Sequence, residues 1–121
     1  MTKSDLPTIR MLATNGQIFY TKHGHYQMGV RGYKTTDVKR ILTSSTNQLI
    51  EIQSPSSAPD KKHIDERALI SDPMYKPDTV VVISLDLSNI AAPIIVILTV
   101  EEAWDGIWHK NPSQDPWLSR K

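Results

Sequence analysis

The sequence predicts an α+β fold: two N-terminal helices packed on a twisted antiparallel sheet of about four strands. Three observations predict it. Thr79–Leu87 and Pro93–Val100 are β-branched, nearly continuous apolar runs, and the short loop Ser88–Ala92 joins them as a hairpin loop would. Val38, Ile41 and Leu42, by contrast, recur at helical spacing. A chain of 121 residues has room for one core, so 1–121 is read as a single domain.

Taken in order, Asp5–Thr14 is either part of an N-terminal extension over 1–16 or a short helix. Asn15-Gly16 stops it, since that pair favours left-handed backbone. Gln17–Tyr20 is short, apolar and extended. Lys22–Val30 reads as a helix despite Gly24 and Gly29, and Gly32 ends it. Thr35 or Thr36 is a ready N-cap for the next helix, with Asp37 suited to its first turn. Asn47–Gln53 alternates as a strand does, and Ser54–Asp60 is a loop by composition. Within His63–Ser71 the run Ala68-Leu69-Ile70 can close a helix or open a strand. Pro73 and Pro77 mark a surface excursion. Pro93–Val100 is taken as the last strand. Its apolarity, with that of Thr79–Leu87, requires cover on both faces, from helices or from a partner chain. Glu101–Trp108 reads as a short helix carrying Trp104 and Trp108, and 109–121 as an irregular tail.

Composition removes several function classes. With no cysteine there is no disulfide, no thiolate nucleophile and no cysteine-ligated zinc. No apolar run reaches the roughly 18 residues a membrane span needs, and the polar start Met1–Leu6 is unlike a signal peptide. A net charge of +1 does not by itself nominate nucleic acid. Charge placement says more: Lys22, Arg31, Lys34, Lys39 and Arg40 fall between Thr21 and Leu42 with Asp37 as the one acid. Such a run serves either as a solvated helix face or as a phosphate-binding surface.

The segment with chemical content is Tyr20–Leu42. On a helix His23, Gln27 and Arg31 stand at i, i+4 and i+8 and share one face. An imidazole can take or give a proton near neutral pH, and a guanidinium can pair with phosphate and steady developing charge. Cleavage of RNA by its own 2′-hydroxyl needs only such groups, correctly placed. The plainer alternative is a polar face meeting water. His25 falls about 200° around the helix from His23, so the two do not share a site. His63 and His109 sit in polar surroundings and read as exposed. No metal-ligand spacing, glycine-rich phosphate loop or Gly-x-Ser-x-Gly elbow occurs. Thr99, near the end of its strand, can aim a hydroxyl into a cleft or simply suit β-structure. Trp104, Trp108 and Trp117 can stack on bases or anchor the C-terminal segment to the core.

The pattern Thr21-Lys22-His23-Gly24, Met28, Arg31-Gly32, Asp37-Val38 and Ile41-Leu42 resembles small toxin-like domains of the barnase–EndoU–colicin–RelE ribonuclease superfamily, near its BrnT-like and uncharacterised members. There a T-x-H-A start, an R-M-x-x-R-G helix and a D-V-x-x-V-L helix precede a twisted antiparallel sheet, whose final strand often reads like Ile97-Leu98-Thr99-Val100. The resemblance covers mainly Thr21–Leu42 and Thr79–Val100. Gln27 stands where the family has arginine and Gly24 where it has alanine. The stretch Ser54–Pro77 and the tryptophan-rich tail have no counterpart in the pattern.

The resemblance implies an endoribonuclease working without metal or cofactor. In it His23 is a general acid or base, Arg31 the phosphate clamp and Thr99 a supporting hydroxyl, with Lys22, Gln27 and Lys34 contacting RNA. The target would be tRNA or mRNA, and the site of action the cytoplasm, reached from a stand-alone gene or as part of a secreted effector. No membrane partner is expected. A free intracellular ribonuclease kills its maker, so a cognate antitoxin or immunity protein is implied. The competing reading is a non-enzymatic binding module, an immunity protein or a phage-encoded inhibitor. It rests on the near-zero charge, on a tryptophan-bearing tail read as exposed and on a strand pair apolar enough to need a partner.

Overall fold

The computed structural model describes residues 1–54 and 66–121. Among the described residues, a 3-10 turn at Lys3–Asp5 is followed by three α-helices and seven strands: α1 (Leu6–Thr14), β1 (Ile18–Tyr20), α2 (Lys22–Arg31), α3 (Thr35–Thr43), β2 (Gln48–Gln53), β3 (Arg67–Ser71), β4 (Thr79–Asp86), β5 (Ile94–Glu102), β6 (Trp108–Lys110) and β7 (Leu118–Arg120). Five strands form one sheet in the order β1-β5-β4-β3-β2, and β6 and β7 form a separate hairpin.

The α+β class stands, with three corrections in detail. The first is a third helix. Of the two readings of 1–16 the short helix holds, and α1 buries Leu6, Ile9, Leu12 and Ala13 in the main core. It ends where expected, with Gly16 left-handed at φ 74°. The second is a fifth strand. Gln17–Tyr20 supplies β1, which pairs with β5 in parallel, Phe19 opposite Val96, so the sheet is mixed rather than wholly antiparallel. Between β1 and β5 the chain passes through α2, α3 and the three strands β2, β3 and β4, which gives it the length to return parallel. The third concerns the C-terminus. β5 runs on to Glu102, Glu101–Trp108 is not a helix, and the tail from His109 is not irregular. Trp108 and Trp117 are buried in the hairpin while Trp104 is exposed, so anchoring is the role of the first two.

The two-sided burial of β4 follows from this plan. Val81 and Ile83 face the helices, packed with Met28, Val38, Ile41, Leu42, Ile95, Ile97 and Val100. Val80 and Val82 face the other way, under Trp108, Trp117 and Leu118 of the hairpin. The cover that the apolar strands demand therefore comes from helices on one face and from the chain's own last residues on the other. The region read as ambiguous resolves as strand: Arg67–Ser71 is β3, paired antiparallel with β4 through Leu69 and Val82. The loop assigned to Ser54–Asp60 falls, apart from Ser54, outside the described residues, as does His63.

Helix ends obey local chemistry. Thr21 caps α2 by accepting the Gly24 N–H at 2.9 Å, and Gly32 closes it at φ 75°. The N-cap of α3 is Lys34 rather than Thr35 or Thr36. Its N–H donates to Asp37 Oδ2 at 3.2 Å, and that bond fixes the helix one residue earlier. At the other end, buried Asn47 donates its amide to the Ile41 and Leu42 carbonyls and accepts from Arg10 Nε at 2.9 Å. No helix among the described residues is long and apolar enough to cross a membrane.

Candidate functional site

The site is built where β1 stops and α2 takes its place along β5. Register ends at Tyr20 opposite Ile97. Thr21 then donates its N–H to the Ile97 carbonyl at 3.1 Å and its hydroxyl to the Leu98 carbonyl at 3.3 Å. That turn lays α2 against the exposed side of β5 so closely that a Cβ on Gly24 would stand 2.8 Å from the Ile97 oxygen and 3.0 Å from the Leu98 oxygen. Glycine at this position thus has a physical reason: the helix backbone touches the strand backbone. Farther along, Arg31 Nη1 donates to the Val100 carbonyl, which pins the guanidinium at the strand.

This docking opens one side of α2 onto a pocket of about 490 Å³. His23, Gln27 and Arg31 line it from the helix, and Thr21 from the turn that precedes it. Thr99, Leu98 and Glu101 line it from β5, and Arg67 reaches it from β3. A bulge shapes the strand side. Val82 pairs with Thr99 but Ile83 pairs with Ile97, so Leu98 is the extra residue. The shift leaves Thr99 and Glu101 on the face away from the main core. His23 and Arg31 are exposed, Gln27, Thr99 and Arg67 half-buried.

Of the residues singled out from the sequence, His23, Gln27, Arg31 and Thr99 meet in this pocket. Lys22 and Lys34 do not line it; both are exposed, at the first position of α2 and the N-cap of α3. The basic run divides. Arg31 belongs to the pocket, whereas Arg40 stacks over the Tyr75 ring at 4.2 Å on another part of the surface. There Tyr75 donates its hydroxyl to Asp37 at 2.9 Å, a bond that holds the phenol above its usual value. His25 turns from the pocket toward the Tyr20 ring, with centroids 6.3 Å apart. Among the described residues no three His, Asp or Glu side chains gather as a metal-binding group.

Sequence reasoning missed Glu101 and Arg67. The first had a readable signal: Glu101 follows Thr99 by two positions, and on a strand that spacing means the same face. Arg67 had none, because only the pairing of β3 with β4 and of β4 with β5 carries it across to Thr99. Chemically, the pocket joins one imidazole, one carboxylate, two guanidinium groups, an amide and two hydroxyls around a space open to solvent.

No family model matches the chain, and no curated protein or solved structure matches it either.

Proposed function

We propose that this chain is a toxin-type endoribonuclease that cleaves RNA without a metal or cofactor. One observation supports the reading above others: His23, Gln27 and Arg31 of α2 line the same pocket as Thr99 and Glu101 of β5. A phosphodiester in that pocket meets Arg31 and Arg67 through its non-bridging oxygens, with Gln27 and the hydroxyls of Thr21 and Thr99 completing the cradle. The RNA 2′-oxygen attacks phosphorus and loses its proton to one of the pair His23 and Glu101. The bond from phosphorus to the 5′-oxygen breaks, and the other member protonates that leaving oxygen. The products are a 2′,3′-cyclic phosphate and a free 5′-hydroxyl. The two guanidinium groups steady the charge that accumulates on the phosphoryl oxygens between these steps. The action is cytoplasmic, on tRNA or mRNA, and held in check by a cognate antitoxin or immunity protein.

The test is controlled expression in a bacterial host of the wild type beside His23→Ala, with total RNA resolved on a gel over time. Growth arrest with discrete fragments, both abolished by His23→Ala, is the expected result. Cleavage by the purified protein should persist in a chelator. A folded wild type that leaves growth and RNA intact overturns the reading and turns attention to an immunity protein or inhibitor.

A further inference from the structure

Phe19 is an anomaly of the sheet. It is the central residue of β1, yet it is 58 % exposed. Its neighbours Ile18 and Tyr20 pack against the main core, so strand alternation turns Phe19 to the opposite face. That is the face on which Thr99 lies. Among the described residues the C-terminal hairpin packs on this face against Val80, Val82, Leu69 and Ile50, with Leu98 of β5 at its margin. Phe19 stands opposite Val96, which is half-buried and outside that cluster. Two residues farther along the chain, just past the end of β1, comes Thr21, a wall of the pocket. Two residues of extended chain span about 7 Å at a rise near 3.3 Å per residue.

An exposed phenylalanine on a strand is costly to leave in water and contributes nothing to the core that its two neighbours serve. Its position beside a pocket with two guanidinium groups gives it a use. We infer that Phe19 is a stacking platform for the base of a nucleotide adjoining the phosphodiester held in the pocket, and that the ligand is therefore single-stranded RNA. This rests on the nuclease reading of the site. A duplex keeps its bases stacked on one another, whereas a single strand can offer a π-face to the ring. Stacking of this kind tolerates any base, so Phe19 adds affinity and selects single-stranded over paired substrate without reading sequence.

The experiment measures binding of a short, mixed-sequence, single-stranded deoxyoligonucleotide. It lacks the attacking 2′-hydroxyl and so stays intact. Wild type, Phe19→Ala, Phe19→Leu, Phe19→Trp and Arg31→Ala are compared, alongside cleavage of the matching RNA. The loss of stacking in Phe19→Ala should weaken binding by about 5- to 150-fold, the range of one base–aromatic stack. Phe19→Leu keeps an apolar side chain without a π-face and should lose nearly as much; Phe19→Trp should keep or improve binding. If Phe19→Leu binds as the wild type does, or Phe19→Ala is unaffected while Arg31→Ala is weakened, the stacking platform is wrong and the nuclease pocket stands. If the wild type cleaves no RNA and binds no oligonucleotide, the nuclease reading fails and the platform with it. Capture of a protein inhibitor through Phe19, with oligonucleotide binding unchanged by Phe19→Ala, also overturns the stacking role.

Discussion

Gly24→Ala adds one methyl group at the point where the candidate catalytic helix rests on the sheet. The new carbon would lie 2.8 Å from the Ile97 oxygen and 3.0 Å from both the Leu98 oxygen and Thr21 Oγ1. Two of the three are main-chain atoms of β5, a strand paired along its length with β4, so they cannot swing aside. Relief must come from α2. Opening the tightest contact from 2.8 Å to an ordinary 3.4 Å moves the first turn outward by about 0.6 Å, the kind of overpacking that costs ~1–3 kcal/mol. Replacing glycine by alanine returns up to ~1 kcal/mol of helix propensity, and less in a first turn. The expected net loss is about 1–2 kcal/mol, and the proposed ribonuclease activity should fall roughly tenfold because His23 moves with the turn. Gly29 is the internal control. It lies in the same helix at negative φ with nothing within 4 Å of its would-be Cβ, so Gly29→Ala should be neutral or stabilising by up to ~1 kcal/mol. Urea denaturation of the three proteins, followed by RNA cleavage under native conditions, measures both effects. A Gly24→Ala protein as stable as Gly29→Ala would refute the close approach, and with it the reason given for glycine here.

Three further outcomes are expected. Asn47→Ala should cost about 1–3 kcal/mol in urea melts, because it removes the amide bonds to the Ile41 and Leu42 carbonyls and the acceptor of Arg10 Nε, leaving Arg10 only its bond to the main-chain carbonyl at 47. Trp117→Ala should cost about 3–5 kcal/mol, through lost packing and the bond from its indole N–H to Ser71 at 3.1 Å, while exposed Trp104→Ala should stay within about 0.5 kcal/mol of wild type. Glu51 accepts two bonds from Arg120, at 2.9 and 2.7 Å, and these hold its carboxyl below the ordinary 4.5. Its folded value is depressed, so its contribution is present above pH 4.5 and fades as pH falls through the lower folded value. Glu51→Gln should therefore lower stability at neutral pH and flatten the acid limb of a stability profile; an unchanged acid limb would show that this pair does not link folding to protons.

How far the fold could be read depends on what each element needs. α2, α3, β4 and β5 carry their own signals: caps, left-handed glycine stops, helical spacing or β-branched runs. β3 was undecided because Ala68-Leu69-Ile70 is too short to show a period, and only its pairing with Val81, Val82 and Ile83 makes it a strand. The parallel pairing of β1 was invisible for the same reason. The C-terminal hairpin was misread because its two strands hold three residues each, and proline and polar residues dominate the stretch between them. Its burial is tertiary, carried by Trp108, Trp117 and Leu118. The pocket divides along the same line. His23, Gln27 and Arg31 follow from helical geometry alone, whereas Arg67 enters only through sheet register.

The seating of α2 has a consequence for how the molecule keeps to itself. Past the last β1 pair, the outer flank of β5 would be an open ladder, the kind of border along which strands of neighbouring molecules add to one another. Here the Ile97, Leu98 and Val100 carbonyls are taken by the Thr21 N–H, the Thr21 hydroxyl and Arg31. The helix that presents the pocket is thus also a guard against self-association. Any Arg31 variant used to test the proposed activity should also be run through light scattering, because the same side chain holds the Val100 carbonyl at that border.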